Sequence, residues 1–149
     1  MQTPDEKAQQ LGLSFAQPDT TPYLNLCPRV GNLFMTSGHV SDQKGKLGEN
    51  LTVEQGNAAA REAIIKVLNS VWVANGGTLN GLRVVKLLGC VNATPDFLDC
   101  SGVINGASDL IHEIFGKEGA GYHARSALGF ATLPVGFAVE IEAIFEKVD

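Results

Sequence analysis

The stretch HARSALGFATLPVGFAVEIEAIF, residues 123–145, constrains the fold more than any other part of the chain. It alternates apolar and other residues on both sides of Pro134, and so reads as two strands joined by a short turn. A turn at Pro134–Val135 would set Arg125 opposite Ile144 and Phe130 opposite Val139. In that register Leu128 and Phe130 share a bulky apolar face with Val139, Ile141 and Ala143, and this face should pack under helices. The other face would carry Arg125, Ala127 and Gly129 together with Glu140, Glu142 and Ile144. Two readings of that arginine compete. Arg125 lies diagonal to Glu142, within reach of a salt bridge. Alternatively, its planar donor fork is an anion site with room left by the small neighbours. Glu140 would stand about 13 Å from Arg125 at about 3.3 Å per residue. The two do not converge within one chain, but a subunit interface would let them meet.

The elements before this stretch limit the architecture further. Residues 4 to 12 suit a short polar helix, and PDTTPY a loop. YLNLCPRVGNLFMTSGHV reads as a hairpin turning near Gly31–Asn32, with Tyr23, Leu24 and Leu26 on its first arm. Thr52 and Gln55 form a capping-box pattern. Ala60, Ile64, Val67, Leu68, Val71 and Ala74 then recur at helical spacing, so a helix is expected from about 53 to 75, ended by Gly76–Gly77. Trp72 falls at the edge of that stripe, as a core anchor would. LRVVKLLGCVNA is a strand apolar on both faces, a pattern of strands covered on both sides. Val103, Ala107, Leu110, Ile111, Ile114 and Phe115 share the stripe of a second long helix, stopped by Gly116. The order β-β-α-β-α-β-β predicts an α+β domain with a mixed sheet and two helices on one face, spanning residues 1–149. Two helices cover one sheet face. A neighbouring subunit is the economical cover for the other.

Composition removes several functions. A net charge of −5 without a basic cluster disfavours nucleic acid as the main partner. No apolar run is long enough to span a bilayer, so no membrane partner is expected. The start, MQTPDEKAQQLGL, lacks the pattern of a secretion signal, and a cytoplasmic location is expected. Cys27, Cys90 and Cys100 have no metal-ligand spacing and read as bland thiols. His39, His112 and His123 have no ligand spacing either, and no metal or organic cofactor is expected. His123 reads as a loop residue entering a strand.

The run ARSALGFATLPVGFAVEIEAI resembles the signature of the YjgF–RidA family of reactive-intermediate (enamine/imine) deaminases, with its Arg-Ser start, Leu-Pro turn and Glu-Ile-Glu strand. PYLNLCPRVGNLFMTSGHV is similar to that family's first hairpin, and the likeness runs from about Pro22, leaving residues 1–21 as an N-terminal extension. The resemblance implies a chorismate-mutase-like fold and a homotrimer whose sheets line a central barrel, with ligand sites between subunits. It implies hydrolysis of small 2-imino or 2-enamino acids to 2-oxo acids and ammonia without a cofactor. Arg125 corresponds to the arginine that grips a substrate carboxylate, Glu140 to the glutamate that handles the attacking water, and Tyr23 to a tyrosine lining the site. Ser37 and Gly38 correspond to the small polar stretch that approaches the ligand, and Asn105 to a ligand-facing asparagine. This chain departs from many active members in having Ala127 in place of a cysteine, His123 in place of a proline, and a longer segment around the second helix. Those departures leave a second reading, a non-catalytic trimer that binds a carboxylate metabolite. RNA cleavage, an activity sometimes attached to the family, is disfavoured by the acidic balance.

Overall fold

Thr52 begins the longest helix in the way its sequence requires. Its hydroxyl accepts from Gln55 N while the Gln55 side chain accepts from Thr52 N at 2.8 Å. The computed structural model describes residues 1–18 and 23–148. Helix α1 is Pro4–Gln10, α2 is Val53–Ala74 and α3 is Cys100–Phe115. The strands are β1 (Arg29–Val30), β2 (Leu33–Met35), β3 (His39–Val40), β4 (Leu82–Asn92), β5 (Ala124–Phe130) and β6 (Val139–Lys147). Helices α2 and α3 pack on each other and on one face of a mixed sheet, burying Ile64, Leu68, Ile104, Leu110 and Ile111 against Leu87, Val91, Ile141 and Phe145. The two helices approach closely at Gly106, where a Cβ would stand 2.8 Å from the carbonyl carbon of Asn57. Trp72 is partly buried at the core edge, with its ring centroid 6.0 Å from that of Phe15. No helix among the described residues is long and apolar enough to cross a membrane.

The sheet order is β1-β2-β6-β4-β5, with β3 also paired to β6. The expected hairpin between residues 124–130 and 139–147 is therefore not formed. Strand β4 lies between them, parallel to β5 and antiparallel to β6. The physical reason is its composition: Leu82, Val84, Leu87 and Val91 are all buried. A strand this apolar gains most from a central position, with neighbours on both edges. The link from β5 to β6 then crosses the end of β4 through a tight turn in which Val135 and Gly136 have φ of 57° and 80°. Lys46 ties the crossing down by donating to Asn92 Oδ1 at 2.6 Å and to the carbonyl of Ala131.

Inserting β4 also turns β5 over. Its register with Leu87, Gly89 and Val91 places Arg125, Ala127 and Gly129 on the helix side. Leu128 and Phe130, expected under the helices, face the open side and are 49% and 39% exposed. The Arg125–Glu142 bridge is excluded by the same geometry, because Glu142 lies on the open face opposite Leu88. That face also carries Lys86, Cys90, Glu140 and Ile144, and among the described residues no helix covers it. The first hairpin is shorter than expected. It turns at Gly31–Asn32 as read, but Tyr23 and Leu24 lie in a bend and not in a strand. Residues 19–22, the body of the expected PDTTPY loop, lie outside the described residues.

Candidate functional site

Two groups of the expected site residues emerge on opposite sides of the sheet. The first is built on β5 and α3. Asn105 and Ser108 lie three residues apart on one face of α3, as helical geometry dictates. Both reach the arginine on the neighbouring strand: Arg125 Nη1 donates to Asn105 Oδ1 at 2.7 Å and to Ser108 Oγ at 3.2 Å. Among the described residues no carboxylate lies within ion-pair distance of Arg125. The guanidinium opens into a cleft of about 470 Å³ that is also lined by Asp109, His112, Lys117, Tyr122 and His123. Ala127 follows on the same side of β5, partly buried against the core. Cys100 approaches Gly129 at the next position, where an added Cβ would stand 3.4 Å from its Sγ.

The second group is built on the edge of β6. Strands β2 and β3 pair with β6 in succession, at Leu33–Met35 and at His39–Val40. Between them Thr36 and the residues after it leave the ladder. Thr36 still exchanges bonds with Ala143, while Ser37 N donates to the carbonyl of Leu26 at 2.8 Å. The chain thus bows out at Ser37–Gly38, and Gly38 comes to rest over the Glu140 side chain. A Cβ at Gly38 would stand 2.9 Å from Glu140 Cδ and closer still to Oε2, so only glycine leaves that carboxylate in place. Behind the bow, His39 Nδ1 lies 2.6 Å from the carbonyl of Ser37 and Nε2 lies 2.7 Å from Ser70 Oγ on α2. Burial holds the His39 pKa below the usual imidazole range, against the bond to Ser37 and with help from the charge of Lys66.

The two groups do not meet within one chain. Arg125 is level with Leu87 and Ala143, whereas Glu140 lies three positions further along β6. That is about 10 Å along the strands and about 10 Å across two strand spacings, on opposite faces of the sheet. Tyr23 is 98% exposed and touches neither group. Cys90 sits beside Glu140 on the open face, and burial together with the charges of Glu140 and Glu142 pushes its thiol up to about 11. Among the described residues no group of His, Cys, Asp and Glu side chains is arranged to hold a metal ion.

The first group contains one member that the sequence did not single out, Ser108, and one that it set down as a loop residue entering a strand, His123. Ser108 Oγ lies 3.0 Å from His123 Nε2, and His123 Nδ1 lies 2.6 Å from the carbonyl of Gly121. A carbonyl only accepts, so Nδ1 carries a proton, and in the neutral ring that burial favours Nε2 is bare. Burial lowers the pKa of His123, opposed by its bond to Gly121 and assisted by the nearby His112 and Arg125. The available signal was positional: Ser108 follows Asn105 by one helical turn, and His123 shares a strand side with Arg125.

Comparison with known proteins agrees with this architecture. The family model described as Endoribonuclease L-PSP matches residues 16–147. The protein TCP17 of Trypanosoma cruzi is 49% identical over 102 residues, which is 68% of this chain and 63% of TCP17, so the match spans under two thirds of that relative. The structure of Atu1372 from Agrobacterium tumefaciens, a protein of unknown function, superposes with a TM-score of 0.85 at 33% identity, covering 97% of this chain and 92% of that one. RidA from the Antarctic bacterium Psychrobacter sp. PAMC 21119 superposes with a TM-score of 0.54 at 27% identity, covering 87% and 92%.

Proposed function

Because this chain belongs to the YjgF/RidA family, we propose that it is a hydrolytic deaminase of small 2-imino and 2-enamino acids, with its site assembled between subunits. The observation that carries the reading is the state of Arg125. Its guanidinium is held by two neutral oxygens, faces a cleft, and has no carboxylate partner among the described residues. A cation positioned by neutral groups keeps its charge for an external anion, and the fork suits a carboxylate.

In the proposed reaction Arg125 fixes the substrate carboxylate by charge-assisted bonds contributing roughly 1.5–3 kcal/mol. The C=N carbon is already electrophilic, so water needs a position and a route for its proton. Glu140 of an adjacent copy takes that proton and returns one to nitrogen, an effect of about 10²–10⁴ in rate. The resulting carbinolamine breaks its C–N bond, releasing ammonia and the 2-oxo acid. Asn105 and Ser108 keep Arg125 extended. Ser37 and Gly38 bring the bowed edge to the ligand, and Tyr23, exposed in one chain, closes the site from its neighbour. The uncovered sheet face, with Leu128, Phe130 and Ile144 on it, supports a cyclic trimer around a central barrel.

The test is ammonia release from freshly generated 2-iminopropanoate, wild type against Arg125→Ala. Wild type should exceed the buffer rate and Arg125→Ala should not. A wild type that binds pyruvate yet leaves the buffer rate unchanged would favour the binding-protein reading, to which Ala127 in place of cysteine lends support. An Arg125→Ala variant with full activity would remove Arg125 from the site.

A further inference from the structure

The Ser108–His123 pair has the outward look of a nucleophile and its base, oriented by a backbone carbonyl. Its surroundings argue otherwise. Ser108 is only 6% exposed, and its oxygen already receives Arg125 Nη1 at 3.2 Å. A covered hydroxyl capped by a cation offers an electrophile no approach.

We propose that Ser108 and His123 form a positioning relay that aims Arg125 at the ligand carboxylate. The proposal rests on the assignment of Arg125 as the carboxylate-binding residue. Each proton in the relay is fixed by the one before it. In the neutral ring His123 Nδ1–H donates to the carbonyl of Gly121, which leaves Nε2 as an acceptor. The Ser108 hydroxyl must then donate to Nε2, and its lone pairs turn toward Arg125. Asn105 supplies the second anchor, so Nη1 is held from two sides and the rest of the fork is presented to the cleft. The order runs one way only. A protonated His123 would donate to Ser108 as well, setting two cations on one oxygen and driving the guanidinium off it.

The titratable groups that line the cleft with His123 are His112 and Asp109 from α3, Lys117 and Glu118 from the turn after it, Tyr122 beside it, and Arg125 from β5. His112 stands nearest as a ring, with centroids 5.3 Å apart. This setting gives the relay a sign that plain electrostatics does not share. If charge alone mattered, a protonated His123 would strengthen binding of an anion. In the relay its protonation weakens binding.

The experiment is titration of the intact protein with pyruvate, a 2-oxo acid that stays ionised throughout, across the pH range below neutrality. Arg125→Ala should lose pyruvate binding. If it does not, the assignment of Arg125 fails, and the relay with it. With that control in place, Ser108→Ala and His123→Ala should each weaken binding roughly three- to tenfold, the effect of one lost hydrogen bond. His123→Gln offers an amide oxygen to Ser108 and should restore affinity. Wild-type affinity should fall as the pH drops below the usual imidazole range, and His123→Gln should flatten that fall. Two results would overturn the relay while leaving Arg125 in place: His123→Gln as weak as His123→Ala, or wild-type binding that strengthens as the pH falls.

Discussion

Replacing Gly38 by alanine isolates the second half of the proposed site without touching an ionisable group. Gly38 has no positive φ, so its backbone accepts an alanine without strain. The added Cβ would stand 2.9 Å from Glu140 Cδ and 3.2 Å from Cγ. Ordinary carbon contacts begin at about 3.5 Å, so the carboxylate must retreat by about 0.5–1 Å. The obstructing atoms are the far end of a flexible side chain, and the fold absorbs the change by swinging Glu140 aside. For a group that places water and moves a proton, a displacement near 1 Å lowers the rate about a hundredfold. The assay is steady-state ammonia release from 2-iminopropanoate, alongside thermal melting and pyruvate titration. Turnover should fall about a hundredfold, with the melting temperature and pyruvate affinity retained, because Arg125 is untouched. Full turnover in a folded Gly38→Ala variant would refute the role given to Glu140.

Three further outcomes test the physical picture around the site. Gly106→Ala would drive a Cβ to 2.8 Å from the carbonyl carbon of Asn57; urea denaturation should show a loss of about 1–3 kcal/mol from overpacking, and an unchanged midpoint would mean the helices part freely. Cys27 and Cys90, both pushed up to about 11, should react with iodoacetamide about a hundredfold more slowly in the folded protein than after denaturation, as mass spectrometry of the alkylated peptides would show. His39, whose folded pKa lies below its ordinary 6.5, makes the unfolded chain the better proton binder. Its contribution to stability is therefore complete above about pH 6.5 and declines as the pH falls toward the folded pKa. The urea midpoint should drop over that window, with His123 adding in the same direction, and His39→Gln should flatten part of the drop.

Local signals in the sequence reported local structure faithfully. The Thr52–Gln55 box and the stripe from Ala60 to Ala74 define α2, which ends at Ala74 just before the two glycines. The second stripe and Gly116 define α3 in the same way. These features depend on neighbours three or four residues apart, which a sequence displays directly. Pairing between distant strands is a competition, and there the adjacent segments misled. Residues 124–130 and 139–147 alternate well enough to pair with each other, but each pairs instead with β4, whose apolar residues are best buried in a central strand. That outcome reversed the faces of β5 and carried Arg125 to the helices. The family resemblance named Arg125 and Asn105, which the structure brings together at 2.7 Å, and Gly38 and Glu140, which it also brings together. Ser108 stayed hidden and His123 read only as a loop residue entering a strand, because a serine on a helix face and a histidine before a strand acquire meaning only once both stand beside the arginine.

Mixing inactive subunits tests most directly whether each pocket draws on two chains. Arg125→Ala and Glu140→Ala, each inactive alone, are unfolded together in equal amounts and refolded. If a pocket takes its arginine from one copy and its glutamate from the next, random cyclic assembly leaves about a quarter of the pockets with both groups intact. Ammonia release from 2-iminopropanoate should then recover to about a quarter of the wild-type rate. A mixture as inactive as its two components would place both groups in the same chain's pocket and contradict the account.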